Sequence, residues 1–537
     1  MELDPSSRSS LATRPLGGAE IGRCPTRLHH DRYTPMPPPD RVDEVRSRAL
    51  TLGLAFENDV VTRVMATTPA GIRIEGFGSD AVHRTLEALG AGSPVIVGGR
   101  LASADGTLVG APDLLVRLSG GYAPVEIKRH RVRLDKGIPA ATSDVETLAE
   151  IDDLGVRFRS RRRRDLLQAE HYRRLLGEIG HASDEPLLGV IGNDEPLACA
   201  WVDATEGDTP ISADYDAYLV RAMDTIAHGA SNPDAPLETA WLRGECSTCD
   251  WYDFCLGDLE RRDDVTLLRD VDAGIRSILA SGGVTTVADV AALDPADDRL
   301  PAGTTVLQAR ARTAGELLRS DGGTGPIALP GGAIEVDLDI ETVGGRTYLA
   351  GLLVTGSGPS RYEPIADWSG TPPGEARVLR ALFDQLASWS RAGAVVYHWT
   401  DYEQRMLANA AAEHGLSIEG FTSVDEWFDT HAIDLCAWSR HHLVSPDGYS
   451  LKTIAPLCGF TWRDGDPGGL QSEIWFERLL AGEESMRERL LAYNEDDVLA
   501  QLAVRRWVRS HDTGAGPGSS IPSALRWPLV EPVATIT

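Results

Sequence analysis

Lysine is almost missing from this chain: 537 residues hold three, Lys128, Lys136 and Lys452, beside 49 arginines. A lysine kept where arginine is the habit points to work suited to a compact, titratable ammonium. Positive charge as a whole is short, with 52 Lys and Arg against 80 Asp and Glu and a net −28. A field of that sign repels nucleic acid, so any such contact needs a local concentration of cations. No uninterrupted apolar stretch reaches the ~18 residues of a membrane-spanning helix, and no membrane partner is expected. The opening MELDPSSRSSLATRPLGG has no basic-then-apolar secretory layout, so a cytoplasmic location is expected. Cysteines number seven. An odd count without an export signal argues against a disulfide framework.

The length favours two to four domains, and the 42% apolar and 25% charged fractions are ordinary for globular protein. Local positive charge does exist. Residues 121–180 hold 13 Lys/Arg against 10 Asp/Glu, net +3, including the stretch 128–133 and the arginine run 161–164. Residues 1–19 and 511–537 read as loose tails, and the Gly/Pro-rich stretch 318–333 as a boundary. Helical periodicity over 41–65 precedes apolar segments 95–104, 107–118 and 123–130. Asp105-Gly106 and Gly120-Gly121 separate these segments, predicting a three-stranded meander. Helices are expected at 165–179 and 215–227. Residues 259–315 read as all-helical, with paired short helices around Gly282-Gly283 that resemble helix–hairpin–helix elements. The second half predicts strands 333–340 and 347–354 around Gly344-Gly345, a helix over 374–392, a strand over 394–397 and further helices. That succession implies an α/β domain with a mixed sheet.

Three constellations carry chemistry. Glu126 and Lys128 stand at i, i+2 on one strand and share a face, and an antiparallel neighbour can bring Asp113 beside them. Converging carboxylates repel unless a hard divalent cation sits between them. Gln168 and Tyr172 follow at i, i+4 on a helix. This set resembles the RecB-type PD-(D/E)XK nucleases. The resemblance covers about residues 20–258 and implies Mg²⁺ or Mn²⁺ on Asp113 and Glu126, Lys128 serving the hydrolytic water, and Gln168 and Tyr172 at the substrate or supporting the site. Many relatives carry a metal-binding His on an early helix; Phe56 stands there, with Glu57 beside it as a substitute ligand or a surface acid.

Cys246, Cys249 and Cys255, with the distant Cys24, offer four thiolates that suit zinc or an iron–sulfur cluster. The C-x2-C-x5-C spacing resembles the iron-staple nucleases, which include AddB and CRISPR-associated RecB-like exonucleases. That resemblance implies a structural 4Fe-4S cluster, with zinc as the alternative.

In the second half, Asp339 and Glu341 share a face of an apolar strand, as does Asp337 by parity. Glu403 follows, and Tyr493 and Asp497 stand at i, i+4 on a helix. Four carboxylates from three elements suit two Mg²⁺ ions clamping a phosphodiester. Residues 333–510 resemble the DEDD 3′–5′ exonucleases of RNase H-like fold, particularly the YprB-type branch, including Asp434 and the segment from Tyr449 to Lys452. The resemblance implies metal on Asp339, Glu341 and Asp497, with Tyr493 orienting water. Glu403 replaces the usual aspartate, and His398 stands where asparagine is frequent.

The whole resembles a family of RecB-like nucleases, α/β and multidomain. The expected order is a tail (1–19), a restriction-endonuclease-like PD-(D/E)XK domain (20–258), a helical connector (259–325), an RNase H-like domain (330–510) and a tail (511–537). What it implies is a metal-dependent exonuclease acting on DNA in repair or recombination, with a helicase partner left open. The alternatives are an exoribonuclease, or a nucleic-acid-binding or assembly module whose sites have drifted.

Overall fold

The computed structural model describes residues 14–34, 44–134, 136–321, 329–356, 358–464 and 469–511, without the side chains of 44–47, 153–154, 247 and 469–470. Residues 322–328 of the boundary stretch 318–333, and the tails 1–13 and 512–537, lie outside the described residues. The chain divides into two compact units, Met1–Gly257 and Asp258–Thr537. Among the described residues, no helix is long and apolar enough to cross a membrane.

The first unit is built on a nine-stranded mixed sheet. Helix α1 (Glu44–Thr67) covers one face, where Val60, Val61 and Val64 pack against Val95, Leu114, Val125 and Ile127. Strand β1 (Leu114–Leu118) turns through Gly120, at φ +75°, into β2 (Gly121–Lys128), pairing Leu114 with Val125. Helix α2 (Arg163–Glu178) covers the opposite face, where Leu166 and Leu167 pack with Leu188 and Val190. Those last two belong to β3 (Leu187–Gly192), which pairs in parallel with β2. Because side chains alternate, Val125 and Ile127 point toward α1, and Glu126 and Lys128 toward α2.

The expected meander is only partly present. Val95–Val97 pairs antiparallel with β1, and β1 with β2. The segment 95–104 is broken at Gly98, which adopts φ +65°; a Cβ on Gly99 would press on Leu115 at 3.1 Å. Beyond the break, Leu101–Ala102 pairs with Leu108–Gly110 in a separate three-stranded sheet. Its third strand is Leu16–Gly17. Leu16 is buried, so this part of the expected 1–19 tail is built into the fold.

The second unit holds a five-stranded sheet. Its first strand, β4 (Ile334–Val343), pairs antiparallel with β5 (Arg346–Gly356), and β5 with β6 (Arg361–Ala366). Helix α3 (Pro372–Ala392) leads to β7 (Val395–His398), parallel to β4. Helix α4 (Tyr402–His414) precedes β8 (Ala432–Asp434), parallel to β7. The long helix α5 (Ser485–Ser510) closes the unit. In the stretch 259–315, read as all-helical, about half the residues are helical, chiefly Ala273–Ser281, Val287–Ala291 and Thr304–Ala314, and Leu318–Arg319 beyond it pairs as a strand with Leu443–Val444. The mixed α/β character expected of both halves is present.

Strand β4 reads as two faces. Val336, Leu338 and Ile340 join a core with Leu379, Leu382, Val396 and Trp427. The intervening positions are Glu335, Asp337, Asp339 and Glu341, all acidic, and they face α5.

Candidate active sites

One face of helix α5 lies along the acidic face of β4. Its residues Asp497, Gln501, Arg505 and Arg509 recur every four positions and so line one face. At one end Arg509 donates to Glu335 at 2.6 Å. Arg505, fully buried, donates to Glu335 at 2.6 Å and to Asp337 at 2.8 Å. Asp337 is therefore neutralised as part of the packing and does not stand with the other candidate ligands. In the middle Gln501 donates to the Leu338 carbonyl at 3.1 Å.

At the other end the arginines stop, and the helix offers another acid. Oxygens of Asp339, Glu341 and Asp497 lie within 4.8 Å of one another, the one such cluster of metal-ligating side chains among the described residues. Each acid has a neutral donor: Asn494 gives 2.7 Å to Asp339, Ser472 2.6 Å to Glu341, and the Trp462 indole 2.7 Å to Asp497. Lys452 donates to the Tyr493 hydroxyl at 3.2 Å, and Tyr493 is hydrogen-bonded to Asp497. Burial, then the charges of Asp497 and Glu341, holds the Asp339 carboxyl far above its usual range. Burial and Asp497 push Glu341 up to about 8. Asp497 rises to about 6 through burial, opposed by the Trp462 hydrogen bond and the Lys452 charge. Neutral donors do not balance three acids; a hard divalent cation on oxygen ligands does. The residues fit Mg²⁺ or Mn²⁺.

Glu403 does not join them. Of the four expected carboxylates, three have oxygens within 4.8 Å of one another, and Glu403 stands outside that group. The chain leaves β7 through Thr400, at φ +73°, whose N–H donates to Asp434 at 3.2 Å. That left-handed turn swings Glu403, in the first turn of α4, toward His398, 3.6 Å from its Nδ1. Its carboxyl is raised by burial, with His398 opposing, and its Oε2 has no hydrogen-bond partner. Its charge still acts on Asp339.

In the first unit, Asp113 lies in the bend just before β1 instead of on the strand, opposite Glu126. Its Oδ2 accepts the Ile127 N–H at 2.7 Å, between Glu126 and Lys128. Lys128 donates to Glu126 at 2.5 Å and to the Gln168 carbonyl at 3.3 Å, and Gln168 donates to the Tyr172 hydroxyl at 2.9 Å. Burial and the Asp113 charge raise Glu126 to about 8, Lys128 opposing. Its Oε1 is buried without a partner. Burial and Asp113 likewise raise the Glu57 carboxyl. Asp113, Glu126, Lys128, Gln168 and Tyr172 are thus brought together, with Lys128 lying on Glu126. The acids do not form a three-ligand cluster.

Cys24, at the start of the helix Pro25–Tyr33, lines one small cavity with Cys246, Cys249 and Cys255. Arg27–Asp250 at 3.0 Å and Trp251–Asp31 at 2.7 Å tie the two segments together. No three of these sulfurs come within 4.8 Å of one another.

Asn494, Ser472 and Trp462 are site residues that sequence reasoning missed. Asn494 had a signal, since it sits on the helix one turn before Asp497, beside Tyr493. Ser472 and Trp462 had none. Against known proteins, residues 336–509 match the family model for the RNase H superfamily (RNase_H_2). No curated protein and no solved structure matches the chain.

Proposed function

We propose that the protein is a divalent-metal-dependent nuclease, an exonuclease on DNA in repair or recombination, with a hydrolytic site in each unit. One observation carries the reading: the i, i+4 face of α5 switches from arginines opposite Glu335 and Asp337 to a third acid opposite Asp339 and Glu341. A strand that only needed neutralising would meet cations along its whole length. The RNase H superfamily match over 336–509 supports phosphodiester hydrolysis there.

Asp339, Glu341 and Asp497 are the residues to hold Mg²⁺ or Mn²⁺, with Glu403 a further acid near them. Such ions supply charge neutralisation on the phosphate and lower the pKa of water. The protein's own part is to hold the ligands still and keep the hydroxyl of Tyr493 directed at Asp497. Lys452 keeps that hydroxyl in place and moderates the negative charge. In the first unit Lys128, anchored by Gln168, is the residue to serve the attacking water, with Asp113 and Glu126 as ligands. The four cysteines are the residues to hold a structural 4Fe-4S cluster.

The test is anaerobic purification and Mn²⁺-dependent digestion of end-labelled single- and double-stranded DNA and RNA by the full chain. Lys128→Ala and Asp339→Ala are expected to remove different activities. Loss of all cleavage of every substrate through either one alone contradicts two independent sites. No metal-dependent cleavage of any substrate contradicts the reading itself.

A further inference from the structure

Beside the Asp113 site the first unit opens into a cleft of about 670 Å³, a size that takes one small ligand or nucleotide. Among the described residues no carboxylate lines it, in a chain of net charge −28. The Phe77 side chain stands at its mouth, 84% exposed, with Leu86 also exposed nearby. Over the Phe77 ring, 4.8 Å from its centroid, lies the Arg100 guanidinium. That cation is fixed: its Nη1 donates to the carbonyls of Gly98 at 2.7 Å and Gly99 at 2.9 Å. Its Nε is buried with no partner.

The inner wall connects to the chemistry. Tyr172 lines the cleft and is one hydrogen bond from Gln168, which holds Lys128. The ring seats against backbone: a Cβ on Gly110 would come within 2.7 Å of it, and one on Gly18 within 2.9 Å. Gly110, also in the lining, is three residues before Asp113. Arg100 acts electrostatically on Asp113 and on Glu57. An exposed aromatic ring, a fixed arginine and an apolar recess beside an acid–lysine site form a slot for a flat apolar face carrying an anion.

We propose that the cleft holds one unpaired base of a single-stranded nucleic acid, stacked on Phe77 with a neighbouring phosphate on Arg100, while the backbone passes Lys128. The proposal rests on the nuclease reading of the first unit. A base within a duplex is stacked on both faces and cannot enter. Stacking on an aromatic platform tolerates any base, because each has a π-face, and arginine adds to it.

The test uses the full chain in chelator, so that nothing is cleaved. The probes are fluorescent 20-nucleotide oligo-dT and oligo-rU, an abasic strand of equal length, and oligo-dT carrying 5-iodouracil for photocrosslinking. A crosslink is expected on the peptide carrying Phe77. Phe77→Ala should abolish it and lower oligo-dT affinity by roughly fivefold or more, leaving abasic binding unchanged. The exposure of Phe77 makes that variant safe for the fold. Preference for oligo-dT or for oligo-rU identifies the natural strand, and either supports the slot. Crosslinks only outside the cleft, or a Phe77→Ala that affects oligo-dT and abasic strands equally, overturns it. Lys128→Ala separates the two ideas. If Mn²⁺-dependent cleavage does not depend on Lys128 while the Phe77 crosslink forms, the nuclease reading of this unit fails and the slot stands. Lys128-dependent cleavage without the crosslink gives the reverse.

Discussion

Replacing Glu341 by glutamine should make the metal-free protein more stable, and the effect should switch on with pH. The amide keeps the shape and still accepts the Ser472 hydroxyl, which lies 2.6 Å from the carboxylate. What it removes is a proton site held at about 8 in the folded chain, against an ordinary value of 4.5. The folded state therefore holds that proton more tightly than the unfolded state. Stability is full below about pH 4.5 and is lost as pH rises through 8. A displacement of that size corresponds to roughly 5 kcal/mol above pH 8. This is a ceiling, because Asp339 and Asp497 titrate with it. Roughly half that ceiling is a fair expectation, and ~2 kcal/mol already moves a melting temperature by several degrees. Differential scanning calorimetry of the full chain in chelator checks it. At pH 8.5 the Glu341→Gln transition should lie several degrees above wild type, and at pH 5 the gap should shrink to a small fraction of that. With millimolar Mn²⁺ the order should reverse, since only the intact ligand set gains binding energy on the folded side. A variant that melts lower than wild type at pH 8.5 in chelator, or a gap that is the same at both pH values, refutes the reasoning.

Mn²⁺ binding to the full chain should strengthen between pH 6 and 8, because protons on Glu341 and Asp497, at about 8 and about 6, must leave. Titration calorimetry in two buffers of different ionisation enthalpy should show proton release, and a pH-independent affinity contradicts it. Arg505→Met leaves Asp337 buried and unpaired beside Glu335, which should cost about 3–5 kcal/mol; a loss under about 1 kcal/mol by denaturant melting contradicts the ion-pair account. Anaerobically purified protein should be brown and carry about four irons per chain, and Cys249→Ser should lose the colour. Stoichiometric zinc without iron after anaerobic preparation contradicts the cluster.

The alternation of β4 put Asp339 and Glu341 on one face and the helical spacing put Tyr493 and Asp497 on another; that the two faces meet was implied by the resemblance to the DEDD exonucleases, not by periodicity. Antiparallel neighbours were enough to bring Asp113 to the face of Glu126 and Lys128, but the turn falls at Ser119-Gly120, one residue before the expected Gly120-Gly121, and that shift sets Asp113 opposite Glu126. Glu403 was not placeable. Its direction depends on Thr400 taking a left-handed conformation that threonine rarely adopts, and no periodicity encodes that. The break in segment 95–104 was signalled by Gly98-Gly99 inside a strand pattern. Ser472 and Trp462 reach the site from segments whose spacing carries no pattern directed at it. Gln501 and Arg505 fit a helix face in the sequence, but which of them meets an acid depends on how far the helix slides along the strand.

Of the chain's primary side-chain amines, two of three sit at the acidic centres: Lys128 on Glu126 and Lys452 on Tyr493. The third, Lys136, is exposed. Amine-selective labelling, indiscriminate on most proteins of this size, is here close to site-directed. Reductive methylation with ¹³C-formaldehyde would introduce a handful of NMR signals, and all but those of Lys136 and the amino terminus would report on a candidate catalytic centre. Each would shift as its own site took up a cation or a strand, so a 58 kDa chain could be followed at both centres in one spectrum.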